Sequence, residues 1–144
     1  MCYMLYLSTS SHEDLSSYNS DLISFQRLGI TDDVRLIILG NHEKWFIGSK
    51  SGCSCTFRHL VSVELGFGEP QDWIPEDEDE LLATAELYRV IAWLAASGNR
   101  VDCLDIWVGA DKTDIKTEVV NLNAVSEKAF RLFENYHFVF ELNP

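Results

Sequence analysis

The sequence predicts an α+β domain: a mixed or largely antiparallel sheet of about five to six strands, with two to three helices packed on it. Three observations lead there. Short apolar segments with two-residue alternation recur along the chain, one long amphipathic helix pattern sits near its middle, and several strand segments follow one another without the crossover helix a parallel sheet needs. The 144 residues suit one globular domain, 1–144, with no linker or internal repeat. An acidic, Gly- and Pro-containing connection around 66–80 reads as a mobile loop.

The first element is "CYMLYL" at 2–7, an apolar run expected as a buried strand with Cys2, Met4 and Tyr6 on one face and Tyr3, Leu5 and Leu7 on the other. Serines ahead of Glu13 and Asp14, and Gly29 as a stop, predict a weak helix over 12–27. "VRLIILG" at 34–40 predicts a buried strand, joined through Asn41 and His42 to a second strand, "EKWFIGS". A helix is expected from Pro75 or Glu76 to Gly98, because proline suits a first helical turn and the acids at 76–80 complement the positive end of the helix dipole. Strands follow at "VDCLDIWVG" and "KTEVVNL", then a helix over 124–135 with Val125, Ala129, Leu132 and Phe133 inward, and a last strand, "HFVFEL".

Charge narrows the partners. Twenty-three acidic against 11 basic residues give a formal charge of −12, a field that repels phosphate backbones and anionic lipid and attracts cations, either a basic protein or a metal ion. Nucleic acid and membrane are therefore excluded as expected partners. No stretch reaches the ~18 apolar residues of a membrane helix, and the opening segment lacks the basic leader of a signal peptide, so a cytoplasmic protein with reduced thiols is expected.

Chemistry concentrates in "SKSGCSCTFRH". On an extended chain Cys53, Cys55 and His59 share a face; on a helix Cys55 and His59 stand one turn apart. One reading is a redox or catalytic thiol at Cys53 or Cys55, with His59 as base and with Lys50, Arg58 and His59 as cations that favour the thiolate. A second is zinc held by Cys53, Cys55 and His59, with Cys2, Cys103 or His42 brought in by the fold; the close cysteine spacing and the missing second pair count against it. A third is an anion cradle made of Lys50, Gly52 and Arg58. Cys53 to Arg58 is one residue short of the tyrosine phosphatase loop, so that family is not assigned. Asp105, set among apolar neighbours in a strong strand, would have a raised pKa if buried, although its face is expected to meet water.

Against these stands the plain structural reading, in which the cysteines are packed as small hydrophobes. The function expected first is a small acidic binding module for a basic protein or peptide, not an enzyme and without a cofactor. Trp73, Glu76, Asp77 and Glu78 form its contact surface, since tryptophan dominates interface hot spots. The alternative is the thiol or zinc protein centred on Cys53, Cys55 and His59.

Overall fold

The computed structural model describes residues 2–30, 33–59 and 66–143. Seven-residue runs of alternating apolar side chains form the two central strands, β1 (Tyr3–Thr9) and β4 (Val101–Trp107), which pair antiparallel with Tyr3 opposite Trp107 and Thr9 opposite Val101. Around them lie β2 (Ile23–Arg27), β3 (Glu43–Ser49), β5 (Lys116–Asn121) and β6 (Tyr136–Glu141), giving one six-stranded sheet in the order β2-β3-β1-β4-β6-β5. Every pairing is antiparallel except β5 with β6. The mixed, mostly antiparallel sheet agrees with expectation; the helix count does not, since the described residues contain one α-helix, α1 (Glu78–Ala96), and short 3-10 turns.

The helix begins where its charges dictate. Asp77 is the N-cap, its carboxylate accepting the Glu80 N–H at 3.1 Å, and Glu78, Asp79 and Glu80 occupy the positive first turn. Pro75 lies just outside it. Ala83, Leu87, Val90, Ile91 and Leu94 are buried against Leu5 and Leu7 of β1, Ile47 of β3, Cys103 of β4 and Phe138 of β6. Each fully buried leucine contributes about 1.5–3 kcal/mol, so this face holds the helix to the sheet. The other face of the sheet carries a smaller cluster of Tyr6, Leu104 and Ile106 under Leu36 and Leu39.

Three expected elements are corrected. Residues 12–27 are not a helix: Asp14 caps a 3-10 turn at Leu15–Tyr18, and Asn19 then accepts the Phe25 N–H at 2.6 Å, starting the edge strand β2. Residues 34–40 are not a strand: Asp33 caps a 3-10 turn at Val34–Ile38, which buries Leu36 and Leu39 three residues apart while Val34 and Ile37 stay exposed. The hairpin expected through Asn41 and His42 is therefore absent, and β3 pairs with β1 and β2 instead.

Residues 124–135 form turns, not a helix. The same apolar residues, Val125, Ala129, Leu132 and Phe133, are buried there, but tertiary hydrogen bonds take the backbone. Arg58 reaches the Lys128 and Phe130 carbonyls, its own carbonyl accepts the Leu132 N–H, and Tyr88 donates to the Leu122 and Val125 carbonyls. In the acidic connection, residues 66–77 precede the helix without regular structure. Among the described residues, no helix is long and apolar enough to cross a membrane.

Candidate functional site

The thiols sit where β3 peels away from β1. A tight turn follows β3, closed by the Gly52 N–H on the Ser49 carbonyl at 2.8 Å, and Gly52 adopts φ 89°, which a side chain would disfavour. The close approach of this loop is paid out at Gly48, where a Cβ would come within 2.7 Å of Ser24 Oγ and 3.0 Å of the Gly52 carbonyl oxygen. Ser49 ties the loop together: its N–H and hydroxyl both donate to the Cys53 carbonyl, and its oxygen accepts the Thr56 N–H at 3.0 Å.

Ser54 then fills the gap in the sheet. Fully buried, its hydroxyl donates to the Ile47 carbonyl at 2.6 Å and accepts the Leu5 N–H at 2.8 Å, while its own N–H donates to the Tyr3 carbonyl. Residues 53–55 thus continue the β1 ladder where β3 has left it. With Ser54 turned inward, the thiols on either side stand beside the start of β1, and Cys55 Sγ accepts the Tyr3 N–H at 3.2 Å.

The result is a three-sulfur cluster: the Sγ atoms of Cys2, Cys53 and Cys55 all lie within 4.8 Å of one another, at partly exposed positions. The Ser51 hydroxyl lies 3.3 Å from Cys53 Sγ. That hydrogen bond comes first in pulling the Cys53 pKa down to about 6; burial opposes it, and hydrogen bonds from Cys55 and Cys2 add to it. Cys55 is pushed up to about 11, first by burial and then by hydrogen bonding and charge repulsion from Cys53. Of these two thiols, Cys53 is the one its hydrogen bonds favour as the thiolate.

No protein-family model matches the chain, and neither does any curated protein or solved structure. The function must be read from this geometry.

His59 is not in the cluster. Its Nε2 lies 2.8 Å from Oδ2 of Asp105 and its Nδ1 3.3 Å from the Phe57 carbonyl, while its ring stacks on Tyr3 at 4.4 Å. Asp105 is buried, not facing water, and its Oδ1 has no partner among the described residues. Burial pushes its pKa up, with Glu134 adding, against the pull of His59. His59 is raised too: burial alone would lower it, but the Asp105 charge and hydrogen bond outweigh that.

The expected cations lie elsewhere. Lys50 pairs with exposed Asp79 at 2.8 Å. Arg58 is buried in an ion pair with Glu76, Nε to Oε1 at 2.5 Å, and its remaining N–H groups go to Glu76 and the carbonyls of Lys128, Phe130 and Gly68. Its backbone N–H donates to Thr84 of α1. Lys50, Gly52 and Arg58 therefore do not converge on an anion, and hydrogen bonds rather than cations tune Cys53. Glu76 is taken up by Arg58, while Trp73, 76% exposed, Asp77, whose carboxylate also caps the helix, and Glu78 stay at the surface. Cys103 is buried opposite Leu7, and His42 is exposed outside the cluster.

The sequence marks Cys2 as an added ligand for zinc and does not mark Ser51, Ser54 or Tyr3 as site residues. The one signal for Ser54 was its place between two cysteines, and nothing in the spacing indicated that it would bond to β1.

Proposed function

We propose that this chain is a thiolate metal-binding protein in which Cys2, Cys53 and Cys55 hold one soft metal ion, Zn2+ or Cu+. The observation that supports it is the meeting of three sulfurs from two distant segments within 4.8 Å. Sulfurs sharing an ion through bonds of ~2.3 Å stand roughly 4 Å apart, so only a small closure is needed. Thiolates select such ions, and a chain of charge −12 attracts cations to its surface. All four cysteines are free thiols, which suits a reducing cytoplasmic setting. The half-exposed position of the sulfurs suits an ion that is picked up and handed on, whereas structural sites are enclosed.

The test is titration of reduced, metal-free protein with Zn2+ and, separately, Cu+. One equivalent of ion should bind, and Cys2→Ser or Cys53→Ser should abolish binding while Lys50→Ala leaves it intact. Failure of both ions to bind in a fixed ratio would sink the reading.

A second reading, docking of a basic protein or peptide, is supported by exposed Trp73 among the exposed acids Glu69, Asp72, Asp77 and Glu78. A salt-sensitive change in tryptophan fluorescence on adding a Lys-rich peptide, lost in Trp73→Ala, is expected. No change at low salt would remove it.

A further inference from the structure

We infer that the ion this site is shaped for is monovalent copper, held by the sulfurs of Cys2, Cys53 and Cys55 with no fourth ligand among the described residues. The inference rests on the metal-binding reading and sharpens it. Its first support is the ligand count: among the described residues no histidine, carboxylate or further thiol joins the three sulfurs. The two side chains that a fourth site would draw on are committed elsewhere. Both ring nitrogens of His59 face other acceptors, Asp105 Oδ2 and the Phe57 carbonyl, and its ring is stacked on Tyr3. Cys103 is enclosed in the core between sheet and helix.

A protein zinc site that holds its ion for structure is closed by four ligands. With no fourth ligand among the described residues, Zn2+ would complete its shell with solvent, and three thiolates would more than cancel its charge, leaving little Lewis acidity to act on that water. Cu+ has a filled shell, prefers soft sulfur and is satisfied by few ligands, so an all-sulfur triad with no hard donor meets its needs in full.

The second support is the arrangement around the sulfurs. The Tyr3 N–H donates to Cys55 Sγ and the Ser51 hydroxyl to Cys53 Sγ. Such donors spread the negative charge of a thiolate cluster that an ion of single charge leaves uncompensated. Ser54, locked into the β1 ladder on its inner side, keeps Cys53 and Cys55 pointing together, so the triad is set before the ion arrives.

The experiment is anaerobic competition on reduced full-length protein. Cu+ is supplied against a cuprous chelator and Zn2+ against a zinc chelator, with X-ray absorption at the metal edge on the loaded wild type. Cu+ should bind one to one, about a thousandfold or more tighter than Zn2+. Its spectrum should show three sulfur neighbours with no nitrogen or oxygen, and His59→Gln should leave both results unchanged. Displacement of Cu+ by equimolar Zn2+, or a nitrogen or oxygen donor in the copper shell, overturns the copper assignment while leaving the metal site standing. Binding of neither ion overturns both.

Discussion

Asp102 and Asp105, three residues apart on β4, face opposite sides of the sheet, and each is paired to a histidine: Asp102 Oδ2 to His137 Nε2 at 2.7 Å, Asp105 Oδ2 to His59 Nε2 at 2.8 Å. Their surroundings drive the two carboxyls in opposite directions. Burial opposes ionisation at Asp102, but hydrogen bonds from His137, Ser8 and the Gly40 N–H overcome it and hold its pKa below the usual value. Asp105 has His59 alone, and burial wins.

Opposite pH dependences follow. Asp102 binds its proton less tightly folded than unfolded, so its contribution is present above pH ~4 and is lost as pH falls through the lowered native value. Asp102→Asn should flatten the acid limb of thermal stability measured between pH 5 and 2, and should cost about 1–3 kcal/mol at neutral pH.

His59 binds its proton more tightly folded than unfolded. Its contribution is full below pH ~6.5 and is lost as pH rises through the raised native value. In urea melts from pH 6 to 9 the lowered Cys53 contributes stability that rises with pH, so the His59 contribution is read as the difference between wild type and Asp105→Asn, which should fall with pH. A slope unchanged in the variant would place its origin elsewhere.

Arg58 joins three parts of the chain: the acidic connection through Glu76 and Gly68, α1 through Thr84, and residues 128–132 through three carbonyl or amide contacts. Arg58→Ala should cost about 3–5 kcal/mol, since it strands a buried carboxylate. Arg58→Lys should recover little, because an ammonium cannot serve partners spread around a planar fork. Denaturant midpoints measure both.

Cys53 should alkylate with a midpoint near pH 6 in metal-free protein, and Cys55 only toward pH 11. Iodoacetamide labelling read by peptide mass separates them. Ser51→Ala should move the Cys53 midpoint upward, since the Ser51 hydroxyl is the largest cause of its depression.

Gly48→Ala should push the 49–56 loop off β3, because the new methyl meets Ser24 Oγ and the Gly52 backbone. Metal affinity should fall about 10- to 100-fold, as when supporting partners of a site are removed, while the thermal midpoint moves by only a few degrees.

Alternation made β1, β3, β4, β5 and β6 readable, and the run of acids ahead of an apolar stripe located α1. What misled was local pattern overruled by distant partners. The β-branched run at 34–38 looks like a strand, but Asp33 caps a turn there and the exposed sheet face needs Leu36 and Leu39 as a cover. The apolar spacing at 125–133 is helical, yet Arg58 and Tyr88 claim the carbonyls a helix would use. At the site, composition marked Cys53 and Cys55, and a two-residue period suggested His59 beside them. Period reasoning fails in a tight turn, and an acid opposite Leu5 on the central strand pair was enough to draw the imidazole away.

The first strand is flanked on one side by a neighbour from the middle of the chain and on the other by one whose Trp107 must return to meet Tyr3. During synthesis it therefore leaves the ribosome with neither edge protected and waits for most of the polypeptide before it can be enclosed. High contact order of this kind slows folding and exposes a sticky nascent segment, so the yield of intact protein should depend on chaperone capacity more than on the final stability of the fold.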